Sequence, residues 1–287
     1  MDEIRLEARA KINLGLDVLR RREDGYHEVK MVMQTVDICD VLSFRKLEED
    51  RILVSTDKEE LPGDENNLIY KAIKLMKDIF GIREGVAAAL KKRIPMAAGM
   101  AGGSADAAAA IHGMDRLFSL GLSLEEKQNL GVKIGADVPY CLMGGTALAE
   151  GIGERLTPLP KPPAAFLVIA KPDIDVSTAF VYGNLHADTL KEHPDIDGMV
   201  RCIREGDLKG IAARMENVLE TVTITRYPVV EEIKAFLKER GALNALMSGS
   251  GPTVFGIYEE EETARRAFGD LKARGLAGQV FLTGFAE

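Results

Sequence analysis

The sequence predicts an α+β fold in two domains, and three observations carry that reading. The chain opens on a long run of period-two alternation. Amphipathic helical segments are then set among short strand-like runs without a strict β-α-β rhythm, which argues against a doubly wound sheet. A proline-rich break lies near the middle, in a chain of 287 residues, long enough for two ordinary domains.

From Ile4 to Val18 the apolar residues Ile4, Leu6, Ala8, Ala10, Ile12, Leu14, Leu16 and Val18 share one face, and Arg5, Glu7, Arg9, Lys11, Asn13 and Asp17 share the other. A strand with one buried face is expected, antiparallel to its neighbour. Lys11 and Asn13 then point the same way, about 7 Å apart along the strand. Further strands are expected near 29–36, 40–46 and 51–56. Residues 67–80 carry an apolar stripe at helical spacing (Leu68, Ile69, Ala72, Ile73, Leu75, Met76, Ile79, Phe80), with Gly81 where a C-terminal cap belongs. Val86–Ile94 reads as a strand stopped by Pro95. A glycine-rich loop and an alanine-rich helix to about Leu120 follow. Ser123 and Glu126 have capping-box spacing for a third helix ending near Gly135, and 140–149 reads as a strand.

The stretch LTPLPKPPAA (156–165) has four prolines in ten residues. It places a domain boundary there, giving domains 1–156 and 157–287. Beyond it the pattern predicts a strand at 166–171, a helix from about Ser177 and helices near 207–219 and 228–240. A strand–SGSG–strand unit at 243–258, a helix at 260–274 and a strand at 279–285 complete the chain.

Composition narrows the function. The net charge of −8 argues against nucleic acid or an anionic membrane as partner. Cys39, Cys141 and Cys202 are scattered and odd in number, and the four histidines fall in no ligand spacing, so neither a disulfide framework nor a zinc site is expected. No apolar run approaches the roughly 18 residues that span a bilayer, and no basic segment leads a hydrophobic one at the start. A cytoplasmic protein is expected.

The segment IPMAAGMAGGSADAAAA (94–110) is the most informative. Gly99, Gly102 and Gly103 let the backbone approach a ligand, and Ser104 is placed to cap the helix that follows. A loop feeding a helix N-terminus offers free amides and the positive end of the dipole, which suits phosphate. A glycine cluster packed tightly before a helix is the alternative. The segment is neither a Walker A loop nor a dinucleotide fingerprint.

A proline followed by G-x-A/G-G-G-S-x-D-A-A-A resembles the phosphate loop of the GHMP kinases, the family of galactokinase, homoserine kinase and mevalonate kinase. Ala101 stands where that family has a glycine, and Ala105 where it has a serine. AKINLGLDVLRRREDGYHE (10–28), GADVP (135–139) and ALMSGSGPTVFGIY (245–258) extend the resemblance over nearly the whole chain. In detail they are similar to the branch that acts on a cytidylated sugar alcohol. The resemblance implies a two-domain fold with the active site in the cleft between domains. It implies ATP and Mg2+ as cofactors, and phosphorylation of the 2-hydroxyl of 4-diphosphocytidyl-2-C-methyl-D-erythritol in non-mevalonate isoprenoid synthesis. Another small-molecule kinase of the family, or a non-catalytic ligand-binding member, is the alternative.

Residue by residue, the resemblance makes Asp137 the base for the substrate hydroxyl and Lys11 the cation beside it. From the residues alone, Asp137 reads better as a turn aspartate before a proline, and Lys11 can be read as a solvated strand residue. ATP would be held by Pro95, Met96, Ala97, Ala98, Gly99, Met100, Ala101, Gly102, Gly103 and Ser104, with Asn67 and Lys92 near its adenine. Asn13 would hydrogen-bond the substrate. Tyr26 and His27, projected by the Asp24-Gly25 turn, would stack on and pair with the cytosine, and Tyr182 and Thr178 would line the same pocket. No metal ligand follows from the resemblance, with Ser104 a candidate; Arg20, Arg21 and Arg22 would face a diphosphate or simply water.

Overall fold

The computed structural model describes residues 3–190 and 192–286. Strands and helices are mixed, as the patterns predict, and fall into two compact units that are not successive in sequence. One takes the residues up to Ala10, Ile38–Met96 and Ala101–Gly144. The other takes Lys11–Asp37, Ala97–Met100 and everything from Gly145. Two long strands, β1 (Ile4–Arg21) and β2 (His27–Leu47), contribute residues to both units. The expected strands at 29–36 and 40–46 are therefore one.

The first unit adds β3 (Ile52–Thr56), α1 (Leu68–Phe80), β4 (Gly85–Lys91), α2 (Gly102–Phe118), α3 (Leu124–Gly131) and α4 (Val138–Met143). Here β4 runs antiparallel to the second half of β2, from Val41 opposite Lys91 to Leu47 opposite Gly85, and β3 runs parallel to β4. Asn67 caps α1 by accepting from the Ile69 amide at 2.8 Å, and Gly81 ends it with φ +65°. Gly113 lets α2 lie close on β2: a β-carbon there would come within 2.7 Å of the Phe44 ring. Ser123 and Glu126 form the expected capping box of α3.

The second unit holds β5 (Thr146–Gly151), β6 (Arg155–Leu159), β7 (Phe166–Lys171), α5 (Thr178–Asn184), α6 (Ile196–Glu205), α7 (Leu208–Ala213), α8 (Glu220–Arg226), α9 (Val229–Glu239), β8 (Asn244–Met247), β9 (Val254–Tyr258), α10 (Glu261–Arg274) and β10 (Gln279–Gly284). β5 pairs with the first half of β2, and β6 with β5. The order β10-β7-β9-β8 forms a separate antiparallel sheet. Among the described residues no helix is long and apolar enough to cross a membrane.

Four expectations are corrected. The strand expected at 140–149 is a helix to Met143 and a strand from Thr146, because Gly144 and Gly145 both take φ near +70° and break the chain between them. Part of the proline-rich stretch is strand β6, where Pro158 lies opposite Ala147. Proline is tolerated on a sheet edge because no ladder hydrogen bond is lost there. Helix α6 was not legible in the sequence, although its Asp195 cap accepts from the Gly198 amide at 2.8 Å. Finally, the single buried face of β1 ends early. From Ala10 to Val18 both faces are buried, Lys11, Asn13 and Asp17 included. The Gly99 carbonyl at Lys11, His193 at Asp17 and the α6 side chains Ile196 and Met199 beside Gly15 cover the face that alternation assigned to water, while Met100, Glu216, Val218 and the Ser248 hydroxyl bond the strand's own backbone.

Candidate active site

Lys11 is only 4% exposed, so the solvated reading of this residue fails. Its Nζ donates to Asn13 Oδ1 at 2.7 Å and to the Gly99 carbonyl at 3.2 Å. The same carbonyl accepts from Ser248 Oγ at 2.9 Å, and Ser248 Oγ in turn accepts from the Asn13 amide at 3.3 Å. One hydroxyl thus ties β1, the glycine turn at 97–100 and the SGSG turn together. Gly99 has φ +70°, and a β-carbon on it would lie 2.1 Å from the Ser248 carbonyl oxygen. Here glycine is required twice over, by conformation and by space. Asn217 supports the second turn, donating to the carbonyls of Met247 and Gly249, both at 2.8 Å.

The rest of the phosphate-loop segment behaves differently. Helix α2 begins at Gly102, so Ser104 lies inside its first turn and is not its cap; Ala101 caps it with φ +55° and no side-chain bond. Space at the other two glycines is taken by the protein itself. A β-carbon at Gly102 would meet Lys92 Nζ and Ile94 Cγ2, both at 3.0 Å, and one at Gly103 would meet Leu68 Cδ1 at 3.3 Å. Bulky substitutions there disturb packing whether or not phosphate lies near. Ala97 (φ +47°) and Ala101 hold left-handed backbone without being glycine. Pro95, Ala98 and Met100 are buried, Met96 is half-buried and Ala97 exposed.

Asn67 and Lys92, placed near adenine by the resemblance, are both buried and engaged. Asn67 joins its capping bond to a second one, from Nδ2 to the Pro62 carbonyl at 2.7 Å. Lys92 Nζ donates to Asp40 Oδ2 at 2.5 Å and to Asp106 Oδ2 at 2.6 Å, with all three side chains nearly sealed from water. Sequence reasoning missed both carboxylates. Asp40 had a signal: it follows Val36 and Ile38 and precedes Leu42 and Phe44 on a fully buried face of β2. Asp106 is a lone acid in an alanine run.

Burial, against the pull of Lys92, pushes the Asp106 carboxyl up from 3.8 to about 7, and its Oδ1 finds no hydrogen-bond partner among the described residues. An acid whose value is raised by folding keeps its proton in the native state while the unfolded chain loses it. Stability therefore carries a component that falls as pH rises from about 3.8 to about 7. Asp106→Asn is expected to flatten that part of the profile, read from urea unfolding at pH 5, 6 and 8; superimposable slopes would refute the assignment.

Tyr26 and His27 stand at the start of β2, and Tyr26 is 58% exposed. The His27 ring lies 5.1 Å from that of Tyr182, tilted by 43°. Burial, then the nearby Arg21 charge, holds His27 below its usual value, favouring the neutral ring. Thr178 Oγ1 lies 2.9 Å from Ser250 Oγ, which joins this end of α5 to the SGSG turn. Arg20 and Arg22 pair with Glu28 and Asp24.

Asp137 stands at the N-terminus of the short helix α4, half-buried, and its side chain makes no capping bond. A β-carbon on neighbouring Gly135 would lie 4.0 Å from Ser104 Oγ, so this turn faces the first turn of α2. No group of three or more His, Cys, Asp or Glu side chains suited to a metal occurs among the described residues.

Comparison with known proteins agrees with this frame. The model for the GHMP kinases N terminal domain matches residues 67–145, and that for the GHMP kinases C terminal matches 199–276. The 4-diphosphocytidyl-2-C-methyl-D-erythritol kinase of Lachnospira eligens is 54% identical over 99% of this chain and 98% of its own length. Its namesake from Lachnoclostridium phytofermentans is 52% identical over 100% and 99%. A crystal structure of 4-(cytidine 5'-diphospho)-2C-methyl-D-erythritol kinase superposes with a TM-score of 0.83 at 31% identity, covering 99% of this chain and 100% of the other. Homoserine kinase from Cytophaga hutchinsonii shares the fold, with a TM-score of 0.81 at 22% identity over 99% and 95% of the two chains. Matched by both family models in order and by relatives of the same length, the chain belongs to the GHMP kinases and, within them, to the family of the 4-diphosphocytidyl-2-C-methyl-D-erythritol kinases.

Proposed function

We propose that this chain is an ATP-dependent phosphotransferase that phosphorylates the 2-hydroxyl of 4-diphosphocytidyl-2-C-methyl-D-erythritol, in the non-mevalonate route to isoprenoid precursors. The observation that carries the substrate assignment is the His27–Tyr182 ring pair beside the exposed Tyr26. Rings that stack on a base, together with a neutral histidine that reads its edge, suit a cytidylated substrate, whereas mevalonate or a sugar has no base to hold.

Phosphoryl transfer asks mainly for positioning and for relief of charge on the transferring group. In this reading the segment 95–104 receives the phosphates, with Asn67 and Lys92 shaping the adenine end through the cap and the ion cluster. Asp137 accepts the hydroxyl proton. Lys11, held by Asn13 and Gly99, supplies fixed positive charge, and Asn13 and Thr178 take part on the substrate side. Mg2+ fits this donor set as an ion that arrives with the nucleotide: phosphate oxygens and water would supply most of its ligands, and the Ser104 hydroxyl one. When bound it would neutralise phosphate charge. The division at about residue 156 belongs to the same proposal, with the nucleotide on the first part and the substrate held by residues of both, Asn13, Tyr26 and His27 from the first and Thr178 and Tyr182 from the second.

The test is ADP release with the cytidylated substrate, its uridine analogue and mevalonate. Turnover is expected with the first alone. Tyr26→Ala and His27→Ala should each weaken it by about 1–3 kcal/mol, seen in the KM for that substrate rather than for ATP. Equal use of all three compounds, or unchanged kinetics in both variants, would refute the substrate assignment.

A further inference from the structure

Three successive amides lie just past the end of β4, whose ladder with β2 stops at Lys91 opposite Val41. A carboxylate accepts from each. Asp57 Oδ1 takes the Lys92 amide at 2.8 Å, and Asp40 Oδ1 takes those of Arg93 and Ile94, the latter at 2.8 Å. The other oxygen of Asp40 receives Lys92 Nζ, and the same ammonium reaches Asp106 on α2. From the helix side, the start of α2 lies against that ammonium, since a β-carbon on Gly102 would sit 3.0 Å from Lys92 Nζ. One buried cation therefore anchors both the entry to and the exit from residues 95–101.

Those residues need anchoring. Ala97, Gly99 and Ala101 all have positive φ, at 47°, 70° and 55°. Alternating left-handed residues, two of them alanines, persist only where their surroundings over-determine them. A buried ion cluster is a poor device for stability as such, because desolvation of its charges offsets their attraction, but it does select one geometry. We propose that Asp40 and Asp106 are positioning residues that act through Lys92 to hold the two ends of the loop 95–101 in the conformation that receives the phosphates of ATP. The inference rests on the proposed function, since it needs ATP to bind this loop.

Calorimetric titration of the parent and variants with MgATP, and separately with the cytidylated substrate, tests it. Asp106→Ala should weaken ATP binding by about tenfold or more and leave substrate affinity within about twofold, a split that general destabilisation would not produce. Asp106→Asn keeps an acceptor toward Lys92 and should restore most of the ATP affinity. Hydrogen exchange should quicken over 95–103 in Asp106→Ala and not elsewhere. Gly102→Ala, which presses on Lys92 with every charge intact, should show the same selective loss and covers the case in which Asp106→Ala does not fold. Parent-like ATP affinity in either of these two variants, or an Asn variant as weak as the Ala variant, would overturn the inference while the proposed function stood. A parent that binds no ATP would overturn both.

Discussion

Asp137→Asn is expected to lower turnover by about 10²-fold or more while leaving the affinity for ATP nearly unchanged. The substitution keeps the shape of the side chain and removes its charge and its capacity to take a proton, the contribution usually made by a general base. The start of α4 rests on backbone contacts that the substitution leaves in place, such as the Cys141 amide to the Asp137 carbonyl at 3.0 Å, and on Pro139 in its first turn. A melting midpoint close to that of the parent should accompany the loss of turnover. Single-turnover rates with saturating ATP isolate the chemical step. Should that rate stay within about threefold of the parent, Asp137 is not the base.

Gly99→Ala should produce the second large effect, on stability and on ATP together. A left-handed alanine costs roughly 1–2 kcal/mol against glycine. To this is added a β-carbon 2.1 Å from the Ser248 carbonyl oxygen and 3.2 Å from the Gly251 nitrogen, neither of which can give way without moving the SGSG turn. Gly206, at the end of α6, is the matched control, with φ +71° and nothing within 4 Å of the added carbon. Gly206→Ala should therefore lose only the conformational part and keep the parent's KM for ATP. Gly99→Ala should lose more in urea unfolding and raise the KM for ATP by about tenfold or more, because Gly99 also carries the carbonyl that Lys11 and Ser248 share. Equal losses in the two variants would mean that the turns at 97–100 and 248–251 do not depend on each other.

Local pattern accounts for much of the fold. The caps at Gly81, Ser123 and Glu126, the apolar stripe of α1, strand β7 and the strand–SGSG–strand unit were legible because each rests on residues close in sequence. The glycine-rich loop was legible as well, through its composition and its resemblance to a family pattern. Its inner workings were not. Three glycines that look alike in the sequence sit in three situations: Gly99 has a positive φ against a neighbouring turn, Gly102 lies over an ammonium, and Gly103 lies beside Leu68.

What the sequence by itself determined is the family and the mixture of strands and helices. Tertiary structure alone decided which polar groups are buried and with whom. Lys11 and Asn13 alternate as surface residues would, yet the Gly99 carbonyl, 88 residues from Lys11, and the Ser248 hydroxyl, 235 residues from Asn13, reach them in the interior. Lys92, one of three consecutive cations, is drawn inward by Asp40 and Asp106, 52 and 14 residues away in sequence, while Lys91 and Arg93 stay exposed. Alternation reports only which face a side chain takes on its own strand. Whether that face meets water, a carbonyl or a carboxylate depends on chain segments that no local pattern names, because burial is a property of everything packed against the strand and not of the strand itself.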